Sequence, residues 1–312
     1  MASFLVTGGA GFIGSTLVHR LVERGHSVRV VDDFSTGFRR NLDNYLDRIE
    51  LVEGDLADLG VCRASLQGVE YVLHQAAIPS VQRSVEDPIR SHRANVTATL
   101  NMLVAARDAQ VKRFVFASSS SVYGDSETLP KVEAMPENPL SPYALTKLAG
   151  EKYTVLFHRL YGLPAVSLRY FNVFGPRQDP HSPYSAVISR FIAAALRGIR
   201  PIVYGDGEQS RDFTYVDNVV EANLLACQAA GVDGMVFNVG TGKRHSLNEL
   251  LRILSAIVGC PLEPEYSNAR SGDVRHSQAG IEKAQRYLNF EPRVSFREGL
   301  ERAVAWFRGG IV

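Results

Sequence analysis

Along the first half of the chain, short runs of β-branched and aromatic residues alternate with stretches of helical periodicity. Residues 4–7, 28–31, 49–52, 71–74, 114–116 and 166–168 are continuous apolar runs, the mark of strands covered on both faces in a parallel sheet. Between the first two, Ile13, Leu17 and Leu21 recur at i, i+4 and i+8, and Gly25 stands where a left-handed cap would end that helix. Residues 94–106 and 143–161 read as two further long helices. This alternation predicts right-handed βαβ units and an α/β fold with a parallel sheet. Beyond residue 173 the pattern loosens and is punctuated by Pro and Gly around 175–183 and 198–209, which predicts a smaller, mixed α/β second domain. Residues 235–239 read as one more strand rejoining the main sheet. The expected domains are therefore discontinuous, 1–173 with 213–242 and 174–212 with 243–312.

Composition narrows the function without naming it. The 312 residues are 45% apolar and 21% charged, with 34 Lys+Arg against 33 Asp+Glu for a net charge of +1. There is no basic block, so the electrostatic footprint expected for nucleic-acid or anionic-membrane partners is missing. Cys62, Cys227 and Cys260 stand singly, which favours neither a disulfide framework nor a zinc site and suits a reducing, cytoplasmic setting. The N-terminal segment lacks a basic leader, and no stretch approaches the ~20 apolar residues of a membrane span. His74, His158 and the other single histidines read as structural or surface residues, and no metal is expected. Asn95-Val96-Thr97 matches a glycosylation acceptor, which a chain without a secretory signal would not use.

Residues 4–7 run straight into Gly8-Gly9-Ala10-Gly11-Phe12-Ile13-Gly14 and then into a helix. Each glycine of this strand–turn–helix has a separate task. Gly8 permits the tight turn, Gly11 lets the backbone approach a pyrophosphate, Gly14 allows close helix–sheet packing, and the helix N-terminus offers free N–H groups. That pattern predicts a dinucleotide on a Rossmann-type doubly wound sheet. Asp32 ends the second strand, where a carboxylate accepts both ribose hydroxyls and repels a 2′-phosphate, favouring NAD over NADP. Asp33 beside it is the rival, but strand alternation sends neighbours to opposite faces. Asp55, after the third strand, either meets the adenine amino group or caps a helix.

After the fifth strand comes Ser118-Ser119-Ser120-Ser121-Val122-Tyr123-Gly124, and further on Tyr143 and Lys147 stand four apart, on one helix face. A phenol of pKa about 10 is only about 0.1% ionised at pH 7, so a tyrosine base needs a nearby cation to hold its phenolate. Lowering that pKa by ~3 units takes ~4 kcal/mol of differential stabilisation, within reach of one ammonium and a cofactor cation in a dry pocket.

The glycine turn, His74-Gln75-Ala76-Ala77, the serine run, the Tyr143/Lys147 pair and Arg169-Tyr170-Phe171-Asn172-Val173-Phe174-Gly175-Pro176 together resemble the extended short-chain dehydrogenase/reductase superfamily, and within it the nucleotide-sugar 4-epimerases. The resemblance spans nearly the whole chain. It implies a tightly held NAD that oxidises the sugar at carbon 4 and returns the hydride to the opposite face. It implies Tyr143 as the base, Lys147 as the residue that lowers its pKa and binds the nicotinamide ribose, and Ser119 as a partner of the same sugar hydroxyl. Cofactor contacts are implied at Gly8, Gly11, Phe12, Ile13, Gly14, Asp32, Asp55, Leu56, Gln75, Ala76 and Ala77, besides Tyr143 and Lys147. Sugar-nucleotide contacts are implied at Ser80, Arg83, Ser119, Ser120, Asn172, Arg211, Arg270, Asp273 and Ser277, with Arg177 and Asn95 as weaker candidates.

Ser120 and Ser121 stand where related 4,6-dehydratases carry Asp-Glu, and Ser121 where related decarboxylases carry Glu. Hydroxyls cannot replace those acids and bases unaided. Ser277 stands where members restricted to glucose and galactose carry a bulky tyrosine, which points to room for an acetamido group. The expected activity is interconversion of UDP-GlcNAc and UDP-GalNAc, with UDP-glucose and UDP-galactose as further substrates. The rivals are an epimerase restricted to the plain sugars, a dehydratase or reductase on the same scaffold, and a non-enzymatic NAD sensor. A homodimer pairing through helices 94–106 and 143–161 is expected from the resemblance.

Overall fold

Ser3–Thr7 (β1) lies at the centre of a seven-stranded sheet, and its residues show why. Phe4 and Val6 point into one apolar cluster and Leu5 into another on the opposite face, so both sides of the strand are covered. The computed structural model describes residues 1–180, 187–268 and 274–310. The remaining strands are Ser27–Asp32 (β2), Glu50–Glu53 (β3), Tyr71–His74 (β4), Arg113–Ser119 (β5), Ala165–Tyr170 (β6) and Val236–Val239 (β7). All pairings are parallel, in the order β3-β2-β1-β4-β5-β6-β7. The chain builds outward from β1 to β3, then restarts on the other side of β1 with β4, and the strand ends diverge there into a crevice. The expected Rossmann-type α/β architecture is what forms. The sequence placed all seven strands, and the structure extends β5 to Arg113 and Ser119 and β6 to Ala165 and Tyr170.

A separate apolar cluster joins Phe174, Ile188, Phe191, Val203, Phe213, Leu250, Leu254, Leu300 and Val304. It is built from the helices Val187–Leu196, Leu247–Val258 and Phe296–Arg308, with short pairings such as Ile202–Tyr204 on Glu265–Ser267 at its edge. Two of these helices open on a Ser whose Oγ accepts the backbone N–H three residues on, Ser246 from Glu249 and Ser295 from Glu298. The chain returns from this second core to lay β7 along the edge of β6.

Helix 94–106 differs from its expected form. Pro88–His92 leads into a π-turn at Arg93–Thr97, and the α-helix proper is Ala98–Asp108. The extra residue of the π-turn rotates Asn95 inward, where Oδ1 accepts the Ile78 N–H at 2.8 Å and Nδ2 donates to Thr146 Oγ1 at 3.0 Å. The other expected helix forms as Pro142–Tyr161, opened by Ser141, whose Oγ accepts the Ala144 N–H, and closed by left-handed Gly162. It packs on β5 at Gly150, where a Cβ would lie 2.5 Å from the Phe116 ring. Gly150→Ala is therefore expected to destabilise the fold by about 1–3 kcal/mol despite alanine's better helix propensity, read as a lower urea midpoint at unchanged slope.

Candidate active site

A cleft of about 820 Å³ opens at the C-terminal ends of the sheet strands, at the upper end of the roughly 300–1,000 Å³ usual for ligand sites. Its cofactor side is lined by Gly8, Gly11, Phe12, Ile13, Gly14, Asp32, Asp55, Leu56, Gln75, Ala76 and Ala77. The glycines are there for room. A Cβ on Gly14 would lie 2.1 Å from the Gly8 carbonyl, and one on left-handed Gly8 (φ +64°) 2.8 Å from the Ala76 backbone. Gly11 meets only the Gly8 carbonyl, at 3.2 Å, and caps the helix Phe12–Glu23 without any side-chain bond to its first N–H groups. An uncapped helix N-terminus facing a cleft is an anion site.

Asp32 completes this cradle. It is 7% exposed, and its two oxygens accept the N–H groups of Ala10 and Phe34, each at 2.8 Å. Burial raises its pKa, against the pull of those two donors. Asp33 is exposed and folds onto Ser35 instead. Gly-rich turn, free helix N-terminus and buried carboxylate are the donor and acceptor set a dinucleotide needs, so the residues present fit NAD. Asp55 lines the cleft, accepts the Ala57 N–H and pairs with Arg93 at 2.8 Å; the helix cap considered for it belongs to Asp58.

His74 lies fully buried beneath, with Nδ1 2.8 Å from Thr7 Oγ1 and Nε2 2.9 Å from Thr99 Oγ1. The Thr99 hydroxyl donates onward to the Asn95 carbonyl at 2.6 Å. Nε2 must then carry the hydrogen, and the ring is a neutral structural bridge, its pKa driven down to about 3 by burial and by the Lys147 charge.

On the catalytic side the helix Pro142–Tyr161 faces β5. Tyr143 hydrogen-bonds Ser119, which itself accepts both the Ser121 N–H at 3.2 Å and the Ser121 hydroxyl at 2.9 Å. Burial pushes the Tyr143 phenol above its ordinary 10, and the Ser119 bond works against that rise. Lys147, 5% exposed, donates to the Ala117 carbonyl at 2.9 Å, and desolvation lowers its pKa to about 8. In the chain by itself, burial thus outweighs the Ser119 bond in setting the phenol's pKa.

The cleft is also lined by Ser80, Arg83, Ser120, Asn172, Arg177, Arg211 and Ser277, the residues expected on the sugar side. Ser80 also caps the helix Val81–Glu86. Asn172, at φ +32°, and Arg211 border an adjoining pocket of about 250 Å³ with Phe191, Tyr204 and Phe213. Arg177 reaches across to Ser15 and Thr16 of the cofactor-side helix, at 3.2 and 2.9 Å. Asn95 is not in the cleft wall but buried behind it, holding Ile78 and Thr146. Arg270 and Asp273 lie outside the described residues. The sequence did not single out Lys131, Phe38, Asn41 or Val274, which also line the cleft. Among the described residues no cluster of three or more His, Cys, Asp or Glu is placed to hold a metal ion.

The model of the NAD dependent epimerase/dehydratase family matches residues 4–240. The UDP-glucose 4-epimerase of Mycolicibacterium smegmatis is 42% identical over 313 residues, covering 97% of this chain and 98% of the relative. The crystal structure of UDP-glucose 4-epimerase from Thermotoga maritima with UDP-glucose superposes with a TM-score of 0.94 at 41% identity, over 98% and 99% of the two chains. The UDP-N-acetylglucosamine 4-epimerase of Methanobrevibacter ruminantium, in complex with UDP-N-acetylmuramic acid, superposes with a TM-score of 0.95 at 40% identity, over 99% and 98%.

The Lys147 ammonium strains the cofactor-free fold. Its folded pKa of about 8 lies below its ordinary 10.5, so between those values the unfolded chain binds a proton the folded chain has shed, and stability rises with pH. Lys147→Met removes that penalty. It is expected to stabilise the NAD-stripped protein at neutral pH by about 1–3 kcal/mol and to flatten the rise above pH 8, measured by urea unfolding at two pH values.

Proposed function

The chain belongs to the NAD dependent epimerase/dehydratase family and, within it, to the nucleotide-sugar 4-epimerases, and from that premise we propose that it interconverts UDP-GlcNAc and UDP-GalNAc and also accepts UDP-glucose and UDP-galactose. One observation carries the reading. Tyr143, Ser119 and Lys147 converge on a cleft whose other end is the dinucleotide cradle, and no carboxylate stands at 120 or 121 to take the chemistry beyond oxidation and return.

NAD, when bound, would take the hydride of carbon 4 and give it back to the opposite face, and would place a positive charge beside the phenol. Tyr143 as phenolate accepts the proton of the 4-hydroxyl, and the Ser119 hydroxyl stabilises that phenolate. Lys147 adds its ammonium charge and holds the nicotinamide ribose. After the 4-keto sugar presents its other face, Tyr143 returns the proton. Asp32 takes the adenine ribose, Asp55 the adenine side, and Gln75, Ala76 and Ala77 form the wall between. Arg211 and Asn172 hold the diphosphate, with Arg270 and Asp273 serving the uridine end and Ser80, Arg83 and Ser120 the sugar.

The division into 1–173 with 213–242 and 174–212 with 243–312 is supported by the separate apolar cores. A homodimer is supported by an exposed apolar stripe, Leu145, Leu156 and Leu160 on one helix with Val85 and Ile89 beside it. Among the described residues no helix is long and apolar enough to cross a membrane. A cytoplasmic setting suits the three free cysteines.

Ser277 supports the acetylated sugars, since a small side chain lines the cleft there. The second reading, an enzyme restricted to UDP-glucose and UDP-galactose, is favoured by the relatives named for UDP-glucose. Incubating the NAD-loaded protein with UDP-GlcNAc alone and resolving products by NMR is expected to give UDP-GalNAc with no net NADH. Turnover of UDP-glucose only would leave the second reading, and accumulating NADH would discard epimerisation. Tyr143→Phe is expected to lower kcat about 10²- to 10⁴-fold, and activity equal to the parent would remove the base. Ser277→Tyr is expected to cut kcat/KM for the acetylated sugars about 10- to 100-fold and to spare the plain ones; an unchanged ratio ends the gate.

A further inference from the structure

Three consecutive residues of β5 meet three consecutive turns of the helix Pro142–Tyr161. The Ala117 carbonyl accepts from Lys147, the Ser118 hydroxyl donates to Glu151 at 2.8 Å, and Ser119 bonds Tyr143. Tyr143, Lys147 and Glu151 share one helix face at i, i+4 and i+8. The reaction uses the first two and leaves the third unexplained.

Glu151 is 1% exposed, and so is Arg169 on β6, which sits opposite Ser118 in the β5–β6 ladder. Arg169 grips the carboxylate with two arms, Nε to Oε2 at 2.9 Å and Nη2 to Oε1 at 2.6 Å. Its guanidinium also lies 4.7 Å from the centre of the Tyr123 ring. Burying two charges this deeply earns little stability over an apolar pair of equal volume, so stability alone is a poor reason for it. What a bidentate fork adds is geometry, since it fixes distance and angle together.

We propose that Glu151 and Arg169 are positioning residues for epimerisation: their ion pair locks the catalytic helix onto β5 and β6 in the register that sets Tyr143 against Ser119, and the two charges cancel so that neither acts on the phenol. The proposal rests on the epimerase reading. The charged and titratable groups facing the pair come from every neighbouring element. Glu137 reaches Arg169 at 3.1 Å and pairs outward with Lys152 at 2.6 Å. Lys283 acts on it from the far side, with Glu133 beside Lys283 and Tyr123, and the Tyr123 hydroxyl is committed to Asn238 at 2.7 Å. Lys147 and Tyr143 lie on the helix itself.

The full-length, NAD-bound protein is compared with Glu151→Gln, Arg169→Met and the double variant. Two quantities are read: kcat with KM, and the near-ultraviolet phenolate titration of Tyr143, taken as the difference from Tyr143→Phe in each background. Glu151→Gln leaves the guanidinium with only the outer Glu137 carboxylate as counter-charge and is expected to move that titration to lower pH, whereas Arg169→Met leaves the Glu151 carboxylate without its guanidinium and moves it to higher pH. The double variant is expected to restore the midpoint while kcat stays at least about tenfold down and KM within about threefold, because the charge is balanced but the lock is gone. Singles that shift the midpoint the same way or not at all, or a double variant with kcat within about twofold of the parent, overturn the proposal. Where a single does not fold, the double variant decides on kcat. Ser118→Ala, which removes one hydrogen bond and no charge, decides where the double does not fold: a fall of about three- to tenfold in kcat at constant KM supports the lock, and unchanged kcat overturns it. A parent that epimerises no UDP-sugar defeats the functional reading, while opposite titration shifts in the two singles still test the pair.

Discussion

Keeping an ammonium group dry is the constraint around which this molecule is organised. Lys147 has a carbonyl for a partner and the Phe116 ring 5.3 Å away, and among the described residues no carboxylate bonds it. An ammonium that found a carboxylate partner would be more stable and less useful, because its charge would be spent locally. The surrounding fold therefore has to hold the lysine where it would not stay by itself, and strand β5, the helix Pro142–Tyr161 and the sheet behind them supply that grip. Function here lives in an unfavourable placement maintained by many favourable ones.

The supporting contacts form two systems behind the cleft wall. On the cofactor side, Thr7, His74, Thr99 and Asn95 make a directed run of hydrogen bonds that ends on Thr146, whose hydroxyl donates to the Tyr143 carbonyl at 2.7 Å. On the far side, Ser118, Glu151 and Arg169 tie the same helix to β5 and β6. The helix Pro142–Tyr161 is thus held from both flanks by buried polar groups, of which Arg169 Nη1 alone in these two systems lacks a hydrogen-bond partner, and its apolar outer face is left for other purposes.

Much of this was legible in the amino-acid order, for physical reasons that differ by region. A strand buried on both faces has to be largely apolar, so β1, β4, β5 and β6 stood out, and the glycines of the turn were readable because three of them, Gly8, Gly9 and Gly14, leave no room for a Cβ. The helices of the second core carry clean periodicity, Leu247, Leu250, Leu251 and Leu254 among them, but the irregular loops between them drew attention away. Buried charges leave no periodic trace. Glu151 and Arg169 read as ordinary polar residues until the ladder sets Arg169 beside Ser118. Asp55 and Asp58 are both plausible helix caps in sequence, and only the backbone shows that Asp58 has the Gly60 N–H in reach. Spacing could not reveal the phenol's pKa: the Tyr-Lys pair suggested a lowered value, yet desolvation of the tyrosine itself raises it in the chain by itself, with only the Ser119 bond working against the rise.

The return of the chain to lay β7 beside β6 has an implication for synthesis. A nascent polypeptide that has emerged only as far as residue 173 presents β6 as a raw edge, with unpaired backbone groups facing outward. The strand that covers this edge is more than sixty residues further on, beyond the first helix of the other core. On the ribosome the sheet stays unsealed until residues 236–239 have emerged, and in that interval its open edge is exposed to aggregation.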